Sequence, residues 1–137
     1  MTDEEIIEII ATKVMGWHLE DHPEKNGTGQ WFSEYEYQQW FNADGEMVAD
    51  HNFNPPNSNE DCMLAARCIS ETHTITLVVT FSPQDNLNAC RAYSNIGART
   101  YSPKEIIDHL KHETLMANCQ DESVLRAMCL CMVRAVE

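Results

Sequence analysis

The side chains best suited to chemistry in this chain are its arginines and aromatics. Arg91 and Arg99 flank Tyr93, and Arg67 lies in an upstream helix-forming stretch. The chain has nine Lys and Arg against 22 Asp and Glu, so each arginine is a scarce cation. A guanidinium can grip a phosphate through two parallel hydrogen bonds, and an aromatic ring can stack on a base or a cation. Trp31, Tyr37 and Trp40 are the aromatics available for that face. These seven residues form the candidate ligand-binding set. The plainer alternative for each is a surface ion pair or a packed aromatic core.

Other constellations are weaker. His18 and His22 are four apart, and His109 and His112 are three apart. Zinc requires three or four ligands and an outer shell that orients them. The first pair falls between Gly16 and Pro23, where a helix is not expected, and the second has only Glu113 or Cys119 as a further ligand. No metal site is therefore assigned. Cys129 and Cys131 are two apart, and on a helix such residues point in different directions, so both read as core. There is no G-x-S-x-G, Walker loop, Rossmann glycine pattern or H-E-x-x-H motif. No carboxylate pair stands out for acid–base work. The expectation is a protein with no catalytic residues and no cofactor, that is, not an enzyme.

Charge divides the chain. Residues 1–61 hold 14 acids and only Lys13 and Lys25, whereas residues 62–137 hold 8 acids and 7 bases, so nearly all of the net −13 lies in the first half. Direct nucleic-acid binding needs clustered Lys and Arg and is not expected. A basic protein partner is. Glu34, Glu36, Asp44, Glu46 and Asp50 fall on one expected hairpin, where spaced carboxylates can imitate DNA phosphates. The N-terminus is acidic where a signal peptide would be basic, and no apolar run approaches the ~20 residues of a membrane span. The six cysteines lie largely in apolar patterns and read as reduced. A cytoplasmic protein of one domain, residues 1–137, is expected.

The elements that would position these residues follow from caps and periodicity. Thr2-Asp3-Glu4-Glu5 is a capping box, and Ile6, Ile7, Ile10, Val14 and Met15 continue at helical spacing, predicting a helix over 3–15 with Gly16 as its stop. Residues 18–30 read as a loop. The aromatics of 31–41 favour strand, Asn42-Ala43-Asp44-Gly45 a turn, and Met47-Val48 the returning strand. Ser58 caps a helix over about 58–70. Residues 72–81 alternate as a strand, with 89–96 its antiparallel partner. Ser102-Pro103-Lys104-Glu105 starts a helix expected to reach about Met116, and a final helix covers 122–136. The order α-β-β-α-β-β-α-α predicts an α+β fold, an antiparallel sheet sandwiched between helices. The final helix has almost no polar face, so it must be covered on all sides. Two coverings are open: a second copy of the chain, through Leu125, Met128, Met132 and Val136, or the helix at 103–116. The first predicts a homo-oligomer.

Three stretches carry a family resemblance: Val14-Met15-Gly16-Trp17 closing the first helix, Phe53-Asn54-Pro55 before the second, and Ala127-Met128-Cys129-Leu130 with Ala135-Val136-Glu137 at the end. Together they resemble the phage ABA-sandwich family, small proteins of tailed phages and prophages. The resemblance implies a sheet between helical layers and a place in the cytoplasm of the host bacterial cell. It brings no catalytic residues. The stretch over 103–120 is longer than the family implies. The resulting expectation is a non-enzymatic phage accessory protein that counters host defence by binding and sequestering a nucleotide-type small molecule. The alternatives are an acidic inhibitor of a basic host protein, by DNA mimicry, and a phage structural or assembly protein.

Overall fold

The computed structural model describes residues 1–21, 38–50, 52–81, 86–94 and 115–137. The expected helix at 103–116 therefore lies outside them for all but its last two residues. The fold is α+β, with two three-stranded antiparallel sheets and three helices among the described residues. The chain runs α1 (Asp3–Ile9) with a π-helical continuation (Ile10–Val14), β1 (His18–Asp21), β2 (Gln38–Phe41), β3 (Met47–Ala49), α2 (Asn59–His73), β4 (Ile75–Phe81), β5 (Asn88–Ser94), β6 (Leu115–Asp121) and α3 (Val124–Val136).

The first helix starts as its sequence requires. The Thr2 hydroxyl accepts from the Glu5 N–H at 3.2 Å, and the Glu5 carboxylate accepts from the Thr2 N–H at 2.7 Å. That backbone donor holds the Glu5 carboxyl below its usual range. The helix then widens: the Met15 N–H donates to the Ile10 carbonyl at 2.9 Å, five residues back. Within it the Thr12 hydroxyl donates to the Glu8 carbonyl at 2.7 Å, competing for the usual helical acceptor. Gly16, at φ +72, closes the turn, and Trp17 N–H reaches the Ala11 carbonyl at 2.8 Å. The Val14 carbonyl left at this end accepts from His73 Nε2 at 3.0 Å and Cys68 Sγ at 3.3 Å, tying the segment to α2.

The second helix is capped by Ser58, whose hydroxyl accepts from Asp61 N–H at 3.3 Å. It ends with Thr74 in the left-handed region, at φ 53. The reversal lets β4 leave antiparallel to the helix and return beneath it.

The larger sheet has the order β4-β5-β6. Ile75, Leu77 and Val79 on β4 pair with Ser94, Ala92 and Cys90 on β5, and Ala92 and Cys90 pair with Ala117 and Cys119 on β6. These rows supply the inner face and join the core. The smaller sheet has the order β1-β2-β3 and contributes Trp40 to the same core. Trp17 and Phe53 meet edge to face with ring centroids 5.0 Å apart.

Three expectations need correction. The loop expected at 18–30 begins with a strand, His18–Asp21. Its four residues are mostly polar and gain strand geometry from pairing with β2 rather than from propensity. The helix expected to reach Met116 does not: Leu115 and Met116 open β6, an edge of the larger sheet among the described residues. The final helix needs no second copy to cover it. One side of α3 packs on β5 and β6, and the other meets α1, its π-helical continuation and α2. Met128 and Met132, expected at an oligomer interface, are buried inside the chain, and Leu125 and Val136 are half-buried against the same core. The apolar surround that suggested a homo-oligomer is met within the chain by β5, β6, α2 and the first helical segment.

One polar tie holds α3 in place. Ser123 caps the helix, accepting from Arg126 N–H at 3.3 Å, and is itself held by Asp121 Oδ1 at 2.9 Å. The Arg126 guanidinium reaches Asp3 on α1, the Met1 carbonyl and, at 3.4 Å, Asp121 at the end of β6. All three charged side chains are partly buried, with 25–38% of their surface exposed. Replacing Arg126→Met, which keeps the apolar stem, is expected to cost about 2 kcal/mol of folding stability. Urea unfolding of the two proteins measures this; an unchanged midpoint would show the tie to be ornamental.

Candidate functional site

The outer face of the larger sheet is the one turned away from α3. Its register places side chains in rows across the strands. Val78, Arg91 and Asn118 form the middle row, Thr76, Tyr93 and Leu115 the next, and Thr80, Ala89 and Gln120 the last. None of these side chains is acidic. Arg91 is exposed, and among the described residues its guanidinium makes no ion pair or hydrogen bond. Asn118, directly across the pair, is exposed and its side chain is equally unengaged. Tyr93 shares this face and is 8% exposed, yet it stands apart from the core cluster.

Between Ala92 and Tyr93 the register with β6 slips by one residue: Ala92 faces Ala117, whereas Tyr93 faces Leu115. Met116 is the extra residue of a β-bulge. A bulge turns two successive side chains toward one face, and Leu115 and Met116 are each 45% exposed.

Of the four candidate ligand residues that are described, Arg67, Arg91, Tyr93 and Trp40, the structure brings together Arg91 and Tyr93. Arg67 is exposed on α2, which packs on the other side of the sheet. An acid, Glu71, follows it at one helical turn. Trp40 is buried in the core and has no ring face to offer. Trp31, Tyr37 and Arg99 lie outside the described residues, as do Glu34, Glu36, His22, His109 and His112. Asn118, Leu115 and Met116 were missed because 103–116 reads as one helix. The period-two run Ala117-Asn118-Cys119-Gln120, small apolar alternating with polar, is the signal that marks the strand.

The acids placed on the β2–β3 hairpin form a second feature. Asn42 Oδ1 accepts from both Asp44 N–H and Glu46 N–H at 3.0 Å, and Gly45 takes φ +79. Asp44, Glu46 and Asp50 are exposed.

The cysteines are all free thiols, and five of the six are buried. Cys62 and Cys129 bring their sulfurs to 4.0 Å between α2 and α3. Cys131 Sγ donates to the Ala117 carbonyl at 3.7 Å and closes α3 onto the sheet. Hydrogen bonding to Cys62 and burial push the Cys129 thiol up, hydrogen bonding to Cys90 and burial do the same for Cys131, and burial raises Cys119. Among the described residues, no three His, Cys, Asp or Glu side chains converge as a metal site would require. His18 spends its Nε2 on Glu20, at 2.7 Å.

No protein-family model, curated protein or solved structure matches the chain. No helix among the described residues is long and apolar enough to cross a membrane.

The thiol environments predict selective chemistry. Thiolate is the reactive species, so alkylation of the folded protein is expected to mark the half-buried Cys68 first among the described cysteines, with Cys62, Cys90, Cys119, Cys129 and Cys131 protected until unfolding. Mass spectrometry of the alkylated peptides reads the order. The raised thiols also set a sign. Neutral in the fold and free to ionise once unfolded, they favour folding below the ordinary thiol range, and stability should fall as pH rises past about 8.5. Unfolding midpoints across the alkaline range measure that slope.

Proposed function

We propose that this chain is a non-enzymatic accessory protein that binds and sequesters a small phosphate-bearing molecule of nucleotide type on the outer face of its larger sheet. The observation that carries this reading is Arg91, exposed, unpaired among the described residues and set at the middle of a face with no acid. Among the described residues Arg126 pairs with the carboxylates of Asp3 and Asp121, whereas Arg91 has no such pair. A guanidinium held clear of them is free for an oxyanion, which it can bind through paired hydrogen bonds. Asn118 adds an amide that both donates and accepts. If the sequence resemblance to the phage ABA-sandwich family holds, this binding would take place in a bacterial host cell, where removal of a nucleotide signal would counter host defence.

Substituting Arg91→Ala is expected to weaken binding of the nucleotide by about 10- to 100-fold while leaving the unfolding midpoint unchanged, because the lost hydrogen bonds are to a charged group and the side chain supports no packing. Titration calorimetry against a panel of mono-, di- and cyclic nucleotides reads this directly. Equal affinity in the two proteins would remove Arg91 from the site.

A second reading rests on the hairpin tip. Asp44 and Glu46 are displayed by a turn that Asn42 organises, and such fixed carboxylates suit a basic protein partner, including one whose DNA groove they fill. The partner complex should weaken steeply as salt is raised, since exposed charge pairs are screened within about 10 Å at 0.1 M salt. Reversing both acids, Asp44→Lys with Glu46→Lys, should abolish it in a pull-down from host lysate.

A further inference from the structure

The bulge in β6 gives the outer face a second half, and we infer that this half selects the organic body of the ligand. Resting on the reading of Arg91 as an oxyanion site, the inference is that the phosphate of a nucleoside monophosphate lies over Arg91 and Asn118 while its base lies flat against Leu115 and Met116.

Leu115 and Met116 are neighbours in sequence, so a regular strand would send one inward and the other outward. The register slip removes that alternation, and both remain 45% exposed. Exposure of two adjacent large apolar side chains has a cost in water. Bulges gather beside binding sites because they re-aim side chains. Here the re-aimed pair lies one row from Arg91, since Leu115 pairs with Tyr93 and Tyr93 is two residues along β5 from Arg91. One such step along a strand is about 7 Å. A cation, an amide and an apolar platform thus follow one another along one face that, among the described residues, contains no acid. Inorganic phosphate would use only the first half. A phosphate carrying a flat apolar ring uses both, with methionine adapting its thioether to the ring.

The discriminating experiment titrates AMP, ribose-5-phosphate and inorganic phosphate into the intact protein and into two variants, Arg91→Ala and the double substitution Leu115→Ser with Met116→Ser. The expected result is that AMP binds at least about tenfold more tightly than ribose-5-phosphate, that the double variant loses this gap but keeps its ribose-5-phosphate affinity, and that Arg91→Ala loses both ligands. Substituting Met116→Gln, which keeps the length of the side chain, gives a surface variant whose circular dichroism and unfolding midpoint verify that the strand is intact. AMP and ribose-5-phosphate binding equally well would overturn the platform while leaving Arg91 as an oxyanion site. No binding of any of the three probes to the intact protein would overturn the oxyanion reading, and the platform with it.

Discussion

Burial of α3 is the constraint on which the rest of the structure depends. From Val124 to Val136 only Arg126 and Arg134 carry charge, so the helix presents apolar surface nearly all round. Such a helix is unstable unless every side is covered. The chain meets that demand with a sheet on one side and two helices on the other. Close approach is possible because the residues at the contacts are small. Ala127, Cys129, Cys131 and Ala135 on the helix meet Cys90, Ala92, Ala117 and Cys119 of the sheet or Cys62 and Ala65 of α2 within one core. The buried cysteines are thereby explained as packing residues, each filling little more than a methyl group's space with a weak donor that reaches a carbonyl or another sulfur. The Arg126 tie is the polar complement of this arrangement: it engages α1 and the end of β6 at the point where the apolar helix begins.

Legibility in the sequence followed the locality of the signal. The caps were read correctly because their atoms lie within a few residues: Thr2 with Glu5, Ser58 with Asp61, and Gly45 in its turn. The alternation of β4 and its pairing with β5 were legible for the same reason. What failed depended on distant partners. The strand at His18–Asp21 has no propensity of its own and exists through β2. At β6, the helix start at Ser102-Pro103 projects forward along the sequence and hides the point where the pattern changes period, after which Ala117 and Cys119 alternate with Asn118 and Gln120. The need to cover α3 was legible, but the identity of its cover was not. Periodicity shows that a helix is apolar all round and says nothing about which element lies against it. Arg91 and Tyr93 were legible as candidates, yet Asn118, Leu115 and Met116 became visible only through cross-strand register.

The covering of α3 also determines what the molecule shows to its surroundings. Helices that pack on the inner face leave the outer face of the larger sheet to other uses. The first half of the chain, with nearly all the net negative charge, supplies α1, the hairpin and the start of α2. The three strands of the larger sheet come from the second half, where acids and bases nearly balance. That this face holds one arginine and no acid among the described residues is therefore a consequence of how the charge is divided along the chain and of which segments form which sheet.

A face of this kind would be inert if it were only uncharged threonine and alanine. Two local departures from regularity give it character, and they meet on adjacent rows. Arg91 occupies the central strand, where a long cationic side chain adds nothing to the core, and the β6 bulge turns Leu115 and Met116 outward where a regular strand would bury one of them. The bulge runs against stability by exposing apolar surface, whereas the exposed, solvated Arg91 is close to neutral. Neither is required by the burial of α3, which Cys90, Ala92, Ala117 and Cys119 satisfy on the opposite face. Features that the fold does not need, and that lie on adjacent rows of one surface, are the ones the proposed ligand site would draw on.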